Sequence, residues 1–422
     1  MYVTRPLSLY RKSPTSLSEE PPEGPFSGVL VITDEEAEAE DTFCFGICKR
    51  TRVKKFPFPQ DKILSVVHTD NSSYRESSVT KVLFLPVLDQ PLSSNRYYVI
   101  HAKGRHKGKA CVCFMEIDKG ICCLPGILQD KKPKPLDPRN IYHTVKIHRH
   151  HGHTFFAKSI APGSKPPSFL KKKGWELQTS RSLYPWRLRE ALGLDEDLRN
   201  RLPGFDFSVS TIRSGSVIVG EWYCPFVFVR EPCRPRHQMR KSAFYKMTLS
   251  QYWERIYQRD NTDISNNENT NENDAQVVNV DVNVEREASY VMGMEAVRGE
   301  KEGVGGFYWY SIIPKTSEAR RMMRKRRRMG LGLGLSFAVV ERMKRVEEEG
   351  GFVGGRGRMV NIKREEKIRV CRSENGESDS RNRWRRFGCY VLVESFGLRR
   401  ADGTLLLKCV FRHSHRVRCK WE

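Results

Sequence analysis

The most unusual local feature of this sequence is a group of histidines that could bind a metal ion. The candidate ligands are His148, His150, His151 and His153. On an extended strand alternate residues share a face, which places His148 beside His150 and His151 beside His153. Two imidazoles on one face can begin a zinc or copper site. No pair of cysteines shows the two-residue spacing typical of structural zinc sites, so a polar loop or a set of polyanion contacts are alternatives.

A second candidate is a basic run that resembles a nuclear-import signal or a nucleic-acid contact. Its members are Arg320, Arg321, Arg324, Lys325, Arg326, Arg327 and Arg328. Further arginines lie around Trp384, and arginine next to an aromatic ring can stack on bases. The alternatives are that the run is a solvated linker and that Trp384 opens a buried strand.

Common enzyme motifs are missing from the sequence. The glycines at Gly104 and Gly108 lie too close together for a phosphate-binding loop, and no Ser or Thr follows Lys109. The spacing of Gly330, Gly332 and Gly334 does not match a dinucleotide-binding fingerprint. We therefore expect no catalytic residues and no cofactor, although a Cys–His pair that meets only in space would escape this reading.

Composition places the chain among basic globular proteins. It has 422 residues and a formal net charge of +24, and more than half of that excess follows Ser317. Such a charge attracts polyanions. No apolar segment approaches the roughly 20 residues that span a bilayer, and the first residues lack the apolar core of a signal peptide. We expect an intracellular protein of the nucleus or cytosol, not secreted, with reduced cysteines and no membrane span.

The order of elements predicts an α+β fold, largely antiparallel β-sheet with a few short helices. Residues 1–25 read as an extended segment because of their prolines. A strand-rich domain follows over 26–258, and an Asn- and Asp-rich stretch at 259–276 reads as a disordered linker. Residues 277–422 read as a basic, β-rich domain with one helix and mobile Arg/Gly loops.

Several elements have clear local signals. The valines at 278, 280, 282 and 284 alternate with polar residues, which predicts a half-buried strand. Thr248 and Gln251 resemble a capping box that opens a helix through Tyr257. Asp195 could cap a short helix to Leu202, and Ser336 could cap a helix through Glu349. A hairpin is predicted from the segments 387–394 and 404–413.

Several strings resemble a plant-specific family known only as domain of unknown function 1262. They include the opening MYVTRPLSLY, the string PLSSNRYYVI from Pro91, WYCPF from Trp222 and the final KWE. The resemblance runs through essentially the whole chain and implies a land-plant source and a single family unit. It implies no activity, cofactor or site residue. The stretches at 260–274 and 320–334 look longer than the family pattern, which lowers the weight of the basic run as a core function.

Three functions follow as hypotheses. The first is a non-enzymatic binding or adaptor protein with an unknown protein partner. The second is RNA or DNA binding through the basic C-terminal region. The third is a metal-binding protein or enzyme that uses the His143–His153 region.

Overall fold

The structure is a computed structural model that describes residues 1–43, 48–69, 77–115, 130–179, 187–261, 277–299, 305–313, 332–355, 357–367 and 384–422. Strands dominate these residues, and the helices are few and short. The pairings between strands are antiparallel except for one parallel pair near the N-terminus. The predicted β-rich, largely antiparallel architecture is confirmed.

The strands have the following bounds in chain order: β1 (Tyr2–Pro6), β2 (Gly28–Ile32), β3 (Thr42–Phe43), β4 (Cys48–Lys49), β5 (Arg52–Val53), β6 (Leu64–Thr69), β7 (Ser77–Pro86), β8 (Arg96–His101), β9 (Phe114–Met115), β10 (Thr144–Arg149), β11 (Phe155–Ser159), β12 (Ser164–Lys165), β13 (Glu176–Thr179), β14 (Gly193–Leu194), β15 (Val217–Pro225), β16 (Val229–Arg230), β17 (Phe244–Asp260), β18 (Val277–Glu285), β19 (Glu287–Val291), β20 (Met294–Arg298), β21 (Phe307–Ile312), β22 (Gly332–Ser336), β23 (Met359–Lys367), β24 (Arg386–Arg399) and β25 (Leu405–Trp421).

The α-helices are α1 (Leu7–Lys12), α2 (Glu35–Glu40), α3 (Ser168–Lys171), α4 (Glu196–Arg201), α5 (Pro235–Lys241) and α6 (Phe337–Glu349). Single 3-10 turns occupy Pro14–Ser18, Leu92–Ser94, Ile141–His143 and Phe226–Phe228. None of the helices in these ranges is long and apolar enough to cross a membrane.

A 12-stranded sheet forms the larger part of the fold. Its order is β16-β22-β21-β20-β19-β25-β24-β17-β15-β1-β2, and β14 pairs with β15. The long strands β17, β24 and β25 form its centre, and β17 pairs with β24 from Lys246↔Arg399 to Asp260↔Arg386. Strands from both sides of residues 259–276 therefore share one sheet, so the two predicted parts, 26–258 and 277–422, do not divide as separate sheets.

A second sheet of seven strands has the order β11-β10-β8-β7-β6-β13-β5. Its core is a separate aromatic cluster that includes Phe58, Phe84, Phe155 and Trp175, all fully buried. Three two-stranded sheets complete the fold: β12 with β9, β18 with β23, and β3 with β4.

The segment 1–25 is not simply extended. Strand β1 pairs in parallel with β2 and antiparallel with β15, and helix α1 follows it directly. Prolines do not interrupt this helix, because Pro6 lies just before its first residue and the next proline, Pro14, comes after its end. The N-terminal residues are thus part of the large sheet.

The helix predicted from Thr248 to Tyr257 is wrong, because these residues lie within strand β17. Burial along the first part of this strand alternates, with Met247, Leu249 and Gln251 inside. Alternation with period two outweighs a short capping signal, since β15 and β24 pair with the two edges of β17 and supply its backbone hydrogen-bond partners.

Other local predictions are confirmed. Helix α6 spans Phe337–Glu349, although the Ser336 side chain makes no capping hydrogen bond. Asp195 accepts a hydrogen bond from the Leu198 amide and caps α4. Strand β18 forms with the valines at 278, 280, 282 and 284 partly or fully buried, and β24 and β25 form the expected hairpin over a longer range. Residues 262–276, most of the predicted linker, lie outside the described residues.

Candidate functional site

A cavity of about 270 Å³ lies where helix α6 packs beside the strands β19, β20, β21 and β25. The segment before β23 forms another part of its wall. Its described lining residues are Arg286, Glu287, Ala288, Ser289, Ala296, Val297, Arg298, Tyr310, Val340, Met343, Lys344, Gly355, Gly357, Arg358, Cys409, Val410 and Phe411. Apolar and charged side chains thus meet in one concave site.

The apolar wall comes from two amphipathic elements. Val340 and Met343 lie one turn apart on the buried face of α6, as the helical spacing requires. Val410 and Phe411 are buried on β25, which pairs with β19 at this level of the sheet. These side chains supply a surface that favours an apolar group over water.

Arg286 lies at the junction between the large sheet and the two-stranded sheet of β18 and β23. Its amide donates to the carbonyl of Arg358, and its carbonyl accepts from the amide of Arg412. The backbone amide and carbonyl of Arg286 are therefore both held by neighbouring strands, and this fixes the position of its Cα atom.

The cations of the cavity outnumber its anions. Arg286, Arg298, Lys344 and Arg358 line it, with Glu287 as the single carboxylate among the lining residues that the structure describes. A concave wall with an excess of one charge raises the local concentration of ions of the opposite sign.

Most of these cations already have carboxylate partners. Arg358 forms ion pairs with Glu285 and Glu295, the second at 3.1 Å. The Arg298 guanidinium lies 3.8 Å from a carboxylate oxygen of Glu287. Lys344 lies 3.2 Å from Glu341 on its own helix.

Arg286 differs from the other three cations. Its Nη1 donates to the carbonyl of Val353 at 3.1 Å, whereas its Nε is buried and has no hydrogen-bond partner. No carboxylate of a described residue lies within ion-pair distance of Arg286. Gly355 allows this approach, since a Cβ there would lie 2.4 Å from Nη1. A buried donor without a partner is costly and can be satisfied by an acceptor on a ligand.

Burial keeps the thiol and the phenol of the cavity in their neutral forms. Burial raises the pKa of the Cys409 thiol to about 11, so the nucleophilic thiolate is scarce at neutral pH. Burial also raises the pKa of Tyr310 well above its usual value. Burial lowers the pKa of Arg298, but Tyr310, Glu287 and Cys409 together raise it by more, and the guanidinium stays charged. The described lining contains no histidine that could act as a base.

The predicted histidine cluster lies elsewhere, at the hairpin between β10 and β11. The rings of His148 and His150 lie 5.1 and 6.1 Å from the ring of Phe156, which places them on one face as expected. His151 and His153 are exposed in the turn, and the rings of His150 and His151 are 4.4 Å apart. Metal binding by these residues stays a prediction.

The basic run from Arg320 to Arg328 lies outside the described residues, as does most of the segment before Trp384. Nuclear import and nucleic-acid binding through these arginines stay predictions.

Sequence reasoning missed the cavity. Arg286, Arg298, Lys344 and Arg358 are far apart along the chain, and each stands in a stretch of ordinary mixed charge. The only local signal is Gly355 within a glycine-rich segment, which sequence reasoning read as a mobile loop. The residues meet because α6 and the segment before β23 pack against the same part of the large sheet.

Comparison with known proteins gives little further information. No curated protein sequence matches the chain. Among solved structures, the crystal structure of Cry35Ab1 is similar with a TM-score of 0.41 and 11% identity, over 86% of this chain and 90% of that chain. Such a score is too low to carry a fold or function across. The family model described as Protein of unknown function (DUF1262) matches residues 23–124, and this match supports an uncharacterised domain family in that part of the chain.

Proposed function

We propose that this protein is a non-enzymatic binding protein whose cavity takes a small anionic molecule with an apolar part. The observation that carries the proposal is Arg286, a cavity-lining guanidinium that has no carboxylate partner and an unpaired, buried Nε among the described residues. A carboxylate, phosphate or sulfonate oxygen would satisfy it with a charge-assisted hydrogen bond.

The size of the cavity supports a small ligand. Its volume of about 270 Å³ lies just below the range of roughly 300–1,000 Å³ that holds typical drug-sized ligands. A single aromatic or short aliphatic group would cover Val340, Met343 and Phe411, with its anionic end at Arg286. A folded protein partner would not enter, although it could bind another face of the molecule as an adaptor would.

A fluorescent anionic probe tests the proposal. Anilinonaphthalene sulfonate, which combines a sulfonate with an apolar ring system, is titrated into the purified full chain. Benzoate and its neutral counterpart benzamide are then added as competitors. We expect benzoate to displace the probe at a lower concentration than benzamide, because only benzoate carries the charge that Arg286 binds.

Variants of Arg286 identify the site. Loss of a hydrogen bond to a charged group is worth about 1.5–3 kcal/mol, so Arg286→Gln should weaken benzoate binding about 10- to 100-fold. Arg286→Lys keeps the charge and should bind with intermediate affinity. The matched control is Arg345→Gln, an exposed arginine on α6 that lies outside the cavity wall. Equal affinity in wild type and Arg286→Gln, or equal competition by benzoate and benzamide, would overturn the proposal.

The predicted intracellular location, in the nucleus or cytosol, and the plant-specific family are proposals beside this one. The first is supported by the cysteines of the described ranges, which are free thiols, as expected in a reducing compartment. The second rests on the strings quoted above. Microscopy of a fluorescent fusion checks the location, and export of the fusion from the cell would contradict it.

A further inference from the structure

Three ionisable side chains from three different elements meet in the interior, away from the wall of the cavity. Glu347 comes from the last turn of α6, Glu394 from β24 and His413 from β25. Their exposed fractions are 0%, 1% and 1%. Glu347 follows Val340 and Met343 on the buried stripe of α6, where the helical pattern calls for an apolar residue. A carboxylate at such a position needs a partner.

The distances within this buried triad are short. His413 Nε2 lies 3.3 Å from Glu347 Oε2 and 3.3 Å from Glu394 Oε2. One ligand atom from each residue lies within 4.8 Å of the other two. Among the residues that the structure describes, these three are the group of His, Cys, Asp and Glu side chains that could hold an ion.

The polar atoms of Glu347 and His413 are not satisfied by hydrogen bonds. Both carboxylate oxygens of Glu347 and both ring nitrogens of His413 are buried without a hydrogen-bond partner in the described part of the chain. The two 3.3 Å contacts are therefore ion-pair distances that lack hydrogen-bond geometry. When the His413 ring is neutral, the neighbouring side chains do not offset the burial of these groups, and a further positive charge would.

A metal ion fits these distances. Zinc binds imidazole nitrogen and carboxylate oxygen at about 2.0–2.1 Å, so neighbouring ligand atoms of a tetrahedral site lie about 3.3 Å apart. The two distances from His413 Nε2 match that edge. We propose that Glu347, Glu394 and His413 form a buried binding site for a divalent transition-metal ion, with zinc as the best fit to this donor set. This inference is independent of the proposed anion site.

Residues around the triad hold Glu394 in place. Arg199 Nε donates to Glu394 Oε1 at 2.9 Å, its Nη2 pairs with Oε2, and Gln251 Nε2 donates to Oε1 at 2.7 Å. Arg199 also donates to the carbonyl of Val346, which ties Glu394 to the end of α6. Partners that orient a ligating carboxylate in this way are typical of metal sites.

A proton is the competing occupant. The two carboxylates and Arg199 leave one net negative charge when the His413 ring is neutral, and a proton on that ring would cancel it. A protonated ring would, however, donate Nε2–H to a carboxylate, and neither contact has that geometry. The ligand distances therefore favour the metal ion, and the experiment must separate the two.

The test uses the full chain, stripped of metal with a chelator and then titrated with zinc chloride. We expect one tightly bound zinc ion per chain and a rise in the melting temperature, because the ion binds only the folded state. Glu347→Gln and His413→Gln should each weaken binding by about 100-fold or more and remove the rise in melting temperature. The matched control is His415→Gln, whose ring lies 5.8 Å from that of His413 but outside the triad.

Other zinc ligands in the chain need their own control. The double variant His148→Gln/His150→Gln should keep the tightly bound ion, and loss of the ion in that variant would move the site to the histidine hairpin. X-ray absorption of the zinc-loaded wild type should show nitrogen and oxygen ligands without sulfur, a readout that holds even if the triad variants fail to fold.

Two further results would overturn the inference. One is a wild-type chain that binds no zinc tightly and whose melting temperature zinc leaves unchanged. The other is a zinc-loaded chain in which nitrogen NMR shows a doubly protonated His413 ring, since a proton would then occupy the position of the metal.

Discussion

The link between the N-terminal segment and helix α6 should depend on one buried ion pair. Arg342 of α6 donates to Glu23 at 2.8 Å, and only 3% and 8% of the two side chains are exposed. Glu23 also accepts from Trp222 Nε1 and from the amide of Leu194, both at 3.1 Å. A larger residue at Gly193, next to that amide, would displace Glu23, because a Cβ there would lie 1.9 Å from a carboxylate oxygen of Glu23.

The perturbation is Glu23→Gln, which keeps the size of the side chain and removes its charge. The side-chain amide of the new glutamine has one acceptor oxygen in place of two. Either its NH₂ group or its uncharged oxygen then faces the Arg342 guanidinium. Leaving one member of a buried pair without its partner costs about 3–5 kcal/mol. The carboxylate of Glu349 also lies 3.8 Å from Arg342, but Glu349 is half exposed and offsets only part of that cost. Since folded domains are stable by only about 5–15 kcal/mol, the variant should lose a large part of its stability.

The measurement is urea unfolding at pH 7, followed by circular dichroism, for the variant and the wild type. The matched control is Glu36→Gln, whose pair with Lys12 is exposed, with 65% and 48% of the side chains accessible. An exposed pair contributes about 0–1 kcal/mol, so the control should unfold close to the wild type.

A double variant separates the cost of the unpaired buried charge from the cost of the lost hydrogen bond. In Glu23→Gln/Arg342→Met no charge is left buried, and we expect recovery of at least about 1 kcal/mol relative to Glu23→Gln. Two results would refute the reasoning about the buried charge. One is a Glu23→Gln variant whose free energy of unfolding stays within about 1 kcal/mol of the wild type. The other is a double variant that loses more stability than Glu23→Gln and Arg342→Met lose when their separate losses are added.

Two further predictions concern single buried groups. Burial lowers the pKa of His143 from 6.5 to about 4, with Lys134 acting in the same direction and Asp137 against it. The unfolded chain therefore takes up the proton first, and the stability from the neutral ring is complete above pH 6.5 and lost as the pH falls to 4. Between pH 6.5 and pH 4 the free energy of unfolding of the wild type, measured with urea, should fall by roughly 3 kcal/mol more than that of His143→Asn. Parallel plots of this free energy against pH for the two proteins would contradict the prediction. Tyr245→Phe removes the donor to Glu231 at 2.5 Å and should cost about 1–3 kcal/mol in the same assay at pH 7, whereas an unchanged midpoint would show that the bond adds nothing.

The sequence predicted those parts of the fold that depend on local pattern. Helix α6 has an apolar stripe at helical spacing, and β18 has alternating valines, so the local pattern is enough to predict a helix and a strand. The same logic failed for β17, where the capping-type residues Thr248 and Gln251 suggested a helix. Only the neighbouring strands decide that these residues pair as a strand, and a neighbour distant in sequence leaves no local signal.

The candidate sites could not be predicted for a related reason. The histidine cluster stands out in the sequence because its members are adjacent, yet its ligand role stays untested. Arg286 and the triad of Glu347, Glu394 and His413 have no such proximity along the chain.

By itself, the sequence determined that this is a basic, β-rich chain with few helices and no common enzyme motif. These properties depend on composition and on short-range periodicity, which each segment carries on its own. The tertiary structure decided that residues before and after 259–276 share one sheet and that Arg286 lines a cavity with no carboxylate partner among the described residues. It also decided that Glu347 meets Glu394 and His413. These properties arise from contacts between distant segments, because burial removes water as a partner and makes each polar group depend on what the fold places beside it.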